Sequence, residues 1–208
     1  MDGVFMGKLI KRVLICCAAS LLVWGASVMS DRQQLNEELI RFHVVANSDS
    51  AEDQAVKLKV RDAVMESLRQ GLADVADMEA AKQYLQENLP KLQRIANETL
   101  EAAGFEPEAV VSLCREAFDT RYYDTFTLPA GVYESLRITI GEGAGHNWWC
   151  VAFPSLCIPA TAKGFSDTAV GAGFSESLSG ALTGEEAYEL RFFLLDAMGR
   201  LENIFFEG

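Results

Sequence analysis

Residues 133–153 read YESLRITIGEGAGHNWWCVAF, and this stretch indicates what kind of sheet the chain forms. Its two halves, 133–140 and 148–153, are rich in the β-branched and aromatic residues that are typical of strands. Glycines dominate the connection at 141–145 and accept the positive φ angles of a tight turn. Because neither a Lys nor a helix follows these glycines, the pattern predicts a hairpin connection rather than a phosphate-binding loop.

Further short strands are predicted outside this hairpin. Residues 109–114 and 122–128 have the same composition, with a Pro-Ala-Gly turn at 129–131, and LIRFHVVA at 39–46 forms a first strand. Consecutive short strands with brief connections favour antiparallel pairing. We therefore expect an antiparallel sheet of about four to five short strands, which the strand at 39–46 joins.

Two helices are predicted between the first strand and the others. Apolar residues recur at spacings of three and four from 52 to 72, which places them on one helix face. A second such pattern runs from 78 to 104 and contains Pro90, where we expect a kink or a break. The predicted fold class is α+β, with both helices packed on one face of the sheet.

The N-terminal segment has the pattern of a membrane-directed sequence. Three basic residues precede the uncharged run VLICCAASLLVWGASVMS at 13–30, as in a secretory signal or an anchor with a cytoplasmic N-terminus. A helix of the core would carry a polar face, which this run lacks. We expect residues 1–30 to be either a signal peptide cleaved after Ser30 or a retained anchor that crosses the membrane through 13–30.

Composition divides the rest of the chain into three parts. Residues 31–158 hold the strand and helix patterns of the α+β domain. Residues 159–183 mix Gly, Ser, Ala and Thr with little periodicity, so we expect a flexible linker there. Residues 184–208 form an apolar helix that docks on the core of the chain or on a partner.

The net charge of −12 at pH 7 limits the classes of partner. An acidic surface repels the phosphates of nucleic acids and the headgroups of anionic lipids. Nucleic acid is therefore excluded as an expected partner, and no motif in the sequence calls for a cofactor.

The five cysteines fall into two groups. Cys16 and Cys17 lie inside the apolar run, where they act as apolar side chains. Cys114, Cys150 and Cys157 would face an oxidising compartment, which allows one disulfide and one leftover thiol. The pairing of Cys150 with Cys157, the pairing of Cys114 with either of them, and the reduced state all stay open.

Histidine and cysteine residues are the best candidates for catalytic side chains in this sequence. His43, His146 and Cys150 together would allow an exported cell-wall or peptide hydrolase, if a histidine activates the thiol. The same residues with Cys157 have the ligand types of a zinc site, but no CxxC or HxxxH spacing supports one. We therefore expect neither catalysis nor a metal from them.

Two segments resemble a known family: IRFHVVANSDSAEDQAVKLKVRDAV at 40–64 and LPAGVYESLRITIGEGAGHNWWCVAFPSLC at 128–157. They are similar to the signature blocks of the stage II sporulation protein R family, and the resemblance covers about 38–158. It implies a signal rather than an enzyme. Such proteins are exported from the forespore into the space between the two membranes. There they trigger a membrane aspartic protease of the mother cell, which cuts the pro-sequence from sigma factor E.

The two blocks also suggest where a partner binds. Trp148 and Trp149 are adjacent, so on a strand one indole points to the core and the other points away. An outward Trp is the kind of anchor that dominates interfaces. The predicted partner interface consists of Arg41, His43, Asn47, Asp49, Asn147, Trp148 and Trp149. Two alternatives stay open: Asn47 and Asp49 only cap the helix, and Arg41 and His43 form a solvated strand face. A purely structural scaffold is the third functional reading.

Overall fold

Six α-helices and six strands follow one another along the residues that the computed structural model describes, which are 2–75, 77–154, 162–171 and 174–207. The elements are α1 (Asp2–Glu38), β1 (Ile40–Val45), α2 (Ala51–Gly71), α3 (Met78–Ala102), β2 (Ala109–Phe118), β3 (Arg121–Tyr122), β4 (Thr127–Leu128), β5 (Gly131–Ile140), β6 (Asn147–Phe153), α4 (Ala162–Gly171), α5 (Glu176–Thr183) and α6 (Glu189–Glu207). The predicted α+β class is confirmed, including the N-terminal apolar helix and the C-terminal helix.

The main sheet has four strands in the order β2-β5-β1-β6. Strand β1 pairs with β5 in parallel and with β6 in antiparallel orientation, so the sheet is mixed rather than purely antiparallel. The expected hairpin between β5 and β6 is wrong, because β1 lies between these two strands. The cause is the long connection through α2, α3 and β2, which lets β5 run in the same direction as β1. The expected strand at 122–128 is instead the small β3–β4 hairpin.

Helices α2 and α3 pack on one face of this sheet, as predicted. Ser50 caps α2 by accepting a hydrogen bond from the Asp53 amide at 3.1 Å. The apolar stripe of α2 meets Phe42 and Leu136 of the sheet in a hydrophobic core. We call this side of the sheet the first face. Helix α3 continues through Pro90 without a break.

The opposite side, the second face, is covered by the end of α1, the β3–β4 hairpin and α4 to α6. The expected linker at 159–183 is wrong where the structure describes it, because α4 and α5 lie there. Phe165, Leu178 and Leu182 are buried against Tyr133 and the other apolar residues of the second core. A few large apolar side chains among small residues are enough to dock two short helices, although they form no clear periodic pattern.

Helix α1 runs without interruption past residue 30, so the expected boundary there does not coincide with a structural break. Its residues 10–23 are exposed, and Ile10–Glu38 is long and apolar enough to cross a membrane. A signal sequence meets the same criterion. From Val28 onwards the helix packs on the second face, and Leu35 is fully buried. The segment is thus an apolar helix compatible with a signal or an anchor.

Helix α6 begins at Glu189, after a 3-10 turn at Glu186–Tyr188. Gly184 ends α5 in the left-handed conformation, with φ of 75°. On its inner side α6 approaches the sheet very closely, since a Cβ on Gly199 would lie 1.6 Å from the Ala130 carbonyl oxygen. The C-terminal helix is therefore docked on the core of the chain.

Candidate functional site

The connection between β5 and β6 crosses over the carboxyl end of β1. Two backbone hydrogen bonds hold it there, from Ala144 N to Asn47 O at 3.1 Å and from Gly145 N to Ala46 O at 3.0 Å. A Cβ on Gly145 would lie 2.2 Å from the carbonyl oxygen of Ser48, so only glycine permits this approach. We call the surface formed by 46–50 and 141–146 the turn surface. It joins the two segments that carry the family resemblance.

Asn47 ties the turn surface to α2. Its Oδ1 accepts a hydrogen bond from the Glu142 amide at 3.1 Å, and its Nδ2 donates to Asp53 Oδ2 at 2.9 Å. The side-chain hydrogen bonds of Asp53 with Ser48 and Asn47 lower the pKa of this carboxyl group. Because Ser50 already caps α2, Asn47 positions the glycine connection instead of acting only as a cap.

Asp49 makes the second link across the turn surface. Its Oδ1 accepts a hydrogen bond from the His146 amide at 2.6 Å and also contacts Nδ1 of the imidazole. These hydrogen bonds from His146 lower the pKa of Asp49. Both side chains are exposed, at 81% for His146 and 54% for Asp49. They offer a partner a polar pair whose geometry is already set.

Lys57 supports the same connection from below. Its Nζ donates to the carbonyl oxygen of His146 at 2.8 Å, and burial lowers the pKa of this ammonium group. Lys57 is not among the site residues predicted from the sequence. Its spacing, four residues after Asp53 and three before Val60, puts it on the buried side of α2 and could have identified it.

The two tryptophans point to opposite faces of the sheet, as strand geometry predicts. Trp148 meets Phe42 edge-on at 5.8 Å on the first face, and Arg61 lies over its ring at 4.8 Å. Trp149 stacks on His43 at 4.7 Å on the second face. Both faces are covered, so each indole is half-buried and packed. The expected outward Trp anchor is therefore not present in this form, and Asn147 beside them is also half-buried.

Arg41 and His43 are buried on the second face, which contradicts both the interface rim and the solvated strand face expected for them. Arg41 is fully buried and donates to the Tyr123 hydroxyl at 3.1 Å, while its guanidinium lies 4.2 Å from the ring centre of Phe118. The physical reason is that β1 is a central strand of a sheet with two covered faces. Its polar residues are therefore covered as well.

A carboxylate on β2 compensates the buried imidazole. Glu116 lies 2.8 Å from His43 Nε2 and 3.0 Å from Arg137. Burial acts to raise the pKa of Glu116, but the hydrogen bond from His43 and the charges of His43 and Arg137 outweigh it and lower the pKa to about 2. We call Arg41, His43, Glu116 and Arg137 the polar row of the second face. Glu116 was not predicted from the sequence, because its side chain meets His43 only across β5.

The expected hydrolase constellation is not assembled. Cys150 lies on the first face with Trp148, whereas His43 is on the second face. His146 belongs to the exposed turn surface. Because the sheet lies between them, the Cys150 sulfur and the His43 imidazole are beyond hydrogen-bond reach of each other. Among the side chains that the structure describes, His, Cys, Asp and Glu form no cluster of three or more suited to a metal ion.

The structure also bears on the cysteines. Cys114 carries a free thiol on the edge strand β2, so the alternative that pairs it is wrong. Three strand spacings separate β2 from β6, about 14 Å, and a disulfide requires Cα atoms within about 7 Å. The pairing of Cys150 with Cys157 stays a prediction, because Cys157 lies outside the described residues.

Known proteins provide a comparison with this arrangement. The family model of stage II sporulation protein R matches residues 36–163. The stage II sporulation protein R of Bacillus subtilis (strain 168) is 36% identical over 158 residues, which cover 71% of this chain and 70% of that protein. No solved structure matches the chain. The match to the family model includes the whole main sheet and the turn surface.

Proposed function

The chain belongs to the stage II sporulation protein R family, and on this basis we propose that it is an exported signalling protein that activates a membrane-embedded aspartic protease of the mother cell. The protease then removes the pro-sequence of sigma factor E. In this proposal the chain leaves the forespore through α1 and acts in the space between the two membranes. The exposed apolar run at 13–23 of α1 supports delivery to a membrane.

The observation that carries the proposal is the turn surface. Two segments almost a hundred residues apart in sequence lock together through Asn47 and Asp49, and the result is exposed and polar. Such a surface needs little ordering when a partner binds, which lowers the entropic cost of association. Its side chains bind one another in pairs rather than forming a nucleophile with a base. The geometry therefore favours recognition over catalysis.

We place the protease contact on the turn surface, with Asn47, Asp49, Glu142 and His146 at its centre. The buried residues of the predicted interface then act from beneath. Trp148 and Trp149 fix β6, and Arg41 and His43 fix β1, so that the ends of both strands hold the glycine connection in place.

Reversing one exposed charge tests this contact. Glu142→Arg changes the side chain on the turn surface, while the Glu142 amide keeps its bond to Asn47. The matched control is Glu87→Arg, which makes the same charge change at an exposed position of α3. Each variant replaces the native chain in sporulating cells, and sigma factor E processing is followed by immunoblot. Circular dichroism and thermal melting establish that both variants fold.

We expect Glu142→Arg to reduce processing by about tenfold or more, as loss of an interface contact does, and Glu87→Arg to leave it unchanged. If both folded variants support normal processing, the protease does not contact the turn surface. The activation itself is tested by reconstitution, in which purified protease cleaves pro-sigma-E only when the chain is added. Cleavage at the same rate without the chain would reject the signalling function.

A further inference from the structure

The outer side of α6 carries an apolar stripe that the described part of the chain does not cover. At 100° per residue, its members fall on about one third of the helix circumference, and no charged residue lies among them. Phe193 is 65% exposed and Phe205 is 85% exposed. The stripe consists of Leu190, Phe193, Leu201, Ile204 and Phe205, and we call it the outer stripe of α6.

The outer stripe is not a result of loose docking. On the inner side of α6, Leu195 is fully buried and Gly199 is in tight contact with Ala130. Asp196 accepts a hydrogen bond from the Ala130 amide at 2.8 Å. The rotation of α6 about its axis is therefore fixed, and large apolar side chains are held facing outwards.

Bonds to α1 set the height of α6 relative to a membrane. Arg191 donates to Ser27 Oγ at 2.9 Å and pairs with Asp31. Ser27 lies in the last turn of the uncharged run at 13–30, whose 18 residues make about 27 Å of helix. A hydrocarbon core is about 30 Å thick, so a spanning α1 needs this whole run. Arg191 then lies at the outer edge of the hydrocarbon, with Leu190 and Phe193 beside it.

A second set of bonds sets the direction of α6. Glu202 pairs with Arg32 and accepts a hydrogen bond from Asn36 at 3.1 Å. From Arg191 to Glu202 the point of contact moves about 16 Å along the axis of α6. The partners on α1 change from Ser27 and Asp31 to Arg32 and Asn36, which is only about 8 Å along the axis of α1. Helix α6 therefore crosses α1 steeply. With α1 along the membrane normal, α6 runs closer to the bilayer plane.

From this placement we infer that the outer stripe of α6 rests in the boundary between headgroups and acyl chains, as a second membrane contact beside α1. Amphipathic helices bind there with their apolar side buried about 5–10 Å deep. The occupant is the lipid surface rather than a second copy or a protein helix, because α1 brings α6 to that depth. The inference rests on the retained anchor, which is one of the two fates proposed for α1.

Lipid-depth quenching in the full chain tests the inference. The free thiols are removed by Cys16→Ala, Cys17→Ala and Cys114→Ala. A single fluorophore is then attached to the cysteine introduced by Phe193→Cys or by Phe205→Cys. Two reference labels accompany them, at Leu21 in the exposed part of α1 and at Leu58 on α2, on the other side of the sheet. The chain is reconstituted into phosphatidylcholine vesicles that contain a nitroxide-labelled phosphatidylcholine.

We expect quenching at Phe193 and Phe205 to exceed that at Leu58 several-fold, alongside strong quenching at Leu21. Adding Phe193→Glu should reduce quenching at Phe205 several-fold, and Leu58→Glu should not. Quenching at Leu21 alone would overturn the second contact and leave the anchor standing. Energy transfer between labelled copies would assign the stripe to a contact between two copies of the chain. Protection of the label that appears only after the protease is added would assign the stripe to the protease. No quenching at Leu21 would reject both the anchor and the contact.

Discussion

The two faces of the main sheet are equally buried but are stabilised in different ways. On the first face, Ile40, Phe42 and Val44 of β1 meet α2 and α3 in a hydrophobic core, and Glu134 of β5 pairs with Lys82 of α3 beside it. On the second face, Arg41 and His43 of the same strand lie among aromatic rings and the carboxylate of Glu116. One strand thus serves two kinds of core. On the first face β1 contributes only apolar side chains, whereas its side chains on the second face depend on charges that acid removes.

The largest effect is expected on the first face. Phe42→Ala removes a fully buried ring between α2 and Trp148, and such a change lowers the free energy of unfolding by about 3–5 kcal/mol. Urea denaturation at neutral pH measures it. Leu58→Ala, at the exposed side of α2, is the control and should change the free energy by less than about 0.5 kcal/mol. A loss below about 1 kcal/mol for Phe42→Ala would mean that the first core is loosely packed.

Removal of each tryptophan compares the two faces directly. Because both rings are half-buried and in contact with a ring and a guanidinium, Trp148→Ala and Trp149→Ala should each lower the free energy of unfolding by about 2–3 kcal/mol. Thermal melting of both variants gives the comparison. If one variant melts at the native temperature, that indole does not pack on its face.

Glu116→Gln should affect only the second face, and its effect depends on pH. The pKa of Glu116 in the folded chain, about 2, is below its ordinary value of 4.5. The carboxylate therefore stabilises the fold above pH 4.5, and this contribution is lost as the pH falls towards 2. Because the side chain is one-fifth exposed, we expect roughly 1–2 kcal/mol at pH 7.

Urea denaturation of the native chain and Glu116→Gln at several pH values checks this. The two free energies should differ at pH 7 and converge as the pH approaches 2. A constant difference across that range would show that the amide disturbs packing rather than the charges of the polar row of the second face. Phe42→Ala provides the contrast, since its effect should be nearly independent of pH.

Most of the first face could be predicted from the sequence, and little of the second face could. The spacing of Val56, Val60 and Val64 on α2 is a local signal, and it led to a correct helix on the correct side. The alternation of polar and apolar residues in β1 was misleading, because the alternation rule assumes that one face of the sheet is solvated. Arg41 and His43 were therefore expected to be exposed. Helices α4 and α5 present few apolar residues, so their docking depends on contacts that local patterns do not contain.

The candidate site shows the same limit. Both segments of the turn surface were identified from the sequence, and so were Asn47, Asp49 and the two tryptophans. Their roles were not, because β1 was not expected between β5 and β6. A connection that crosses the end of another strand is a matter of topology. Lys57 and Glu116 acquire their roles only once that topology is known.

The smallest effect is expected for Cys114→Ser. The thiol is free and half-buried on an edge strand, so the substitution should change the free energy of unfolding by less than about 0.5 kcal/mol. Non-reducing mass spectrometry of the purified chain should give the same disulfide content with and without Cys114. A disulfide that appears or disappears in the variant would place Cys114 in the pairing after all.

The single residue between α1 and β1 has a mechanical consequence. Helix α1 ends at Glu38 and β1 begins at Ile40, so a retained α1 forms a stiff stalk rather than a tether. A stiff stalk keeps the domain at one orientation and one height above the membrane while it diffuses in two dimensions. The effective concentration is therefore raised only for partners whose binding site lies at that height. The turn surface lies at the far end of β1, about 20 Å from the stalk. A receptor in the facing membrane must reach to that level, and the width of the gap between the membranes would then act as a gauge for signalling.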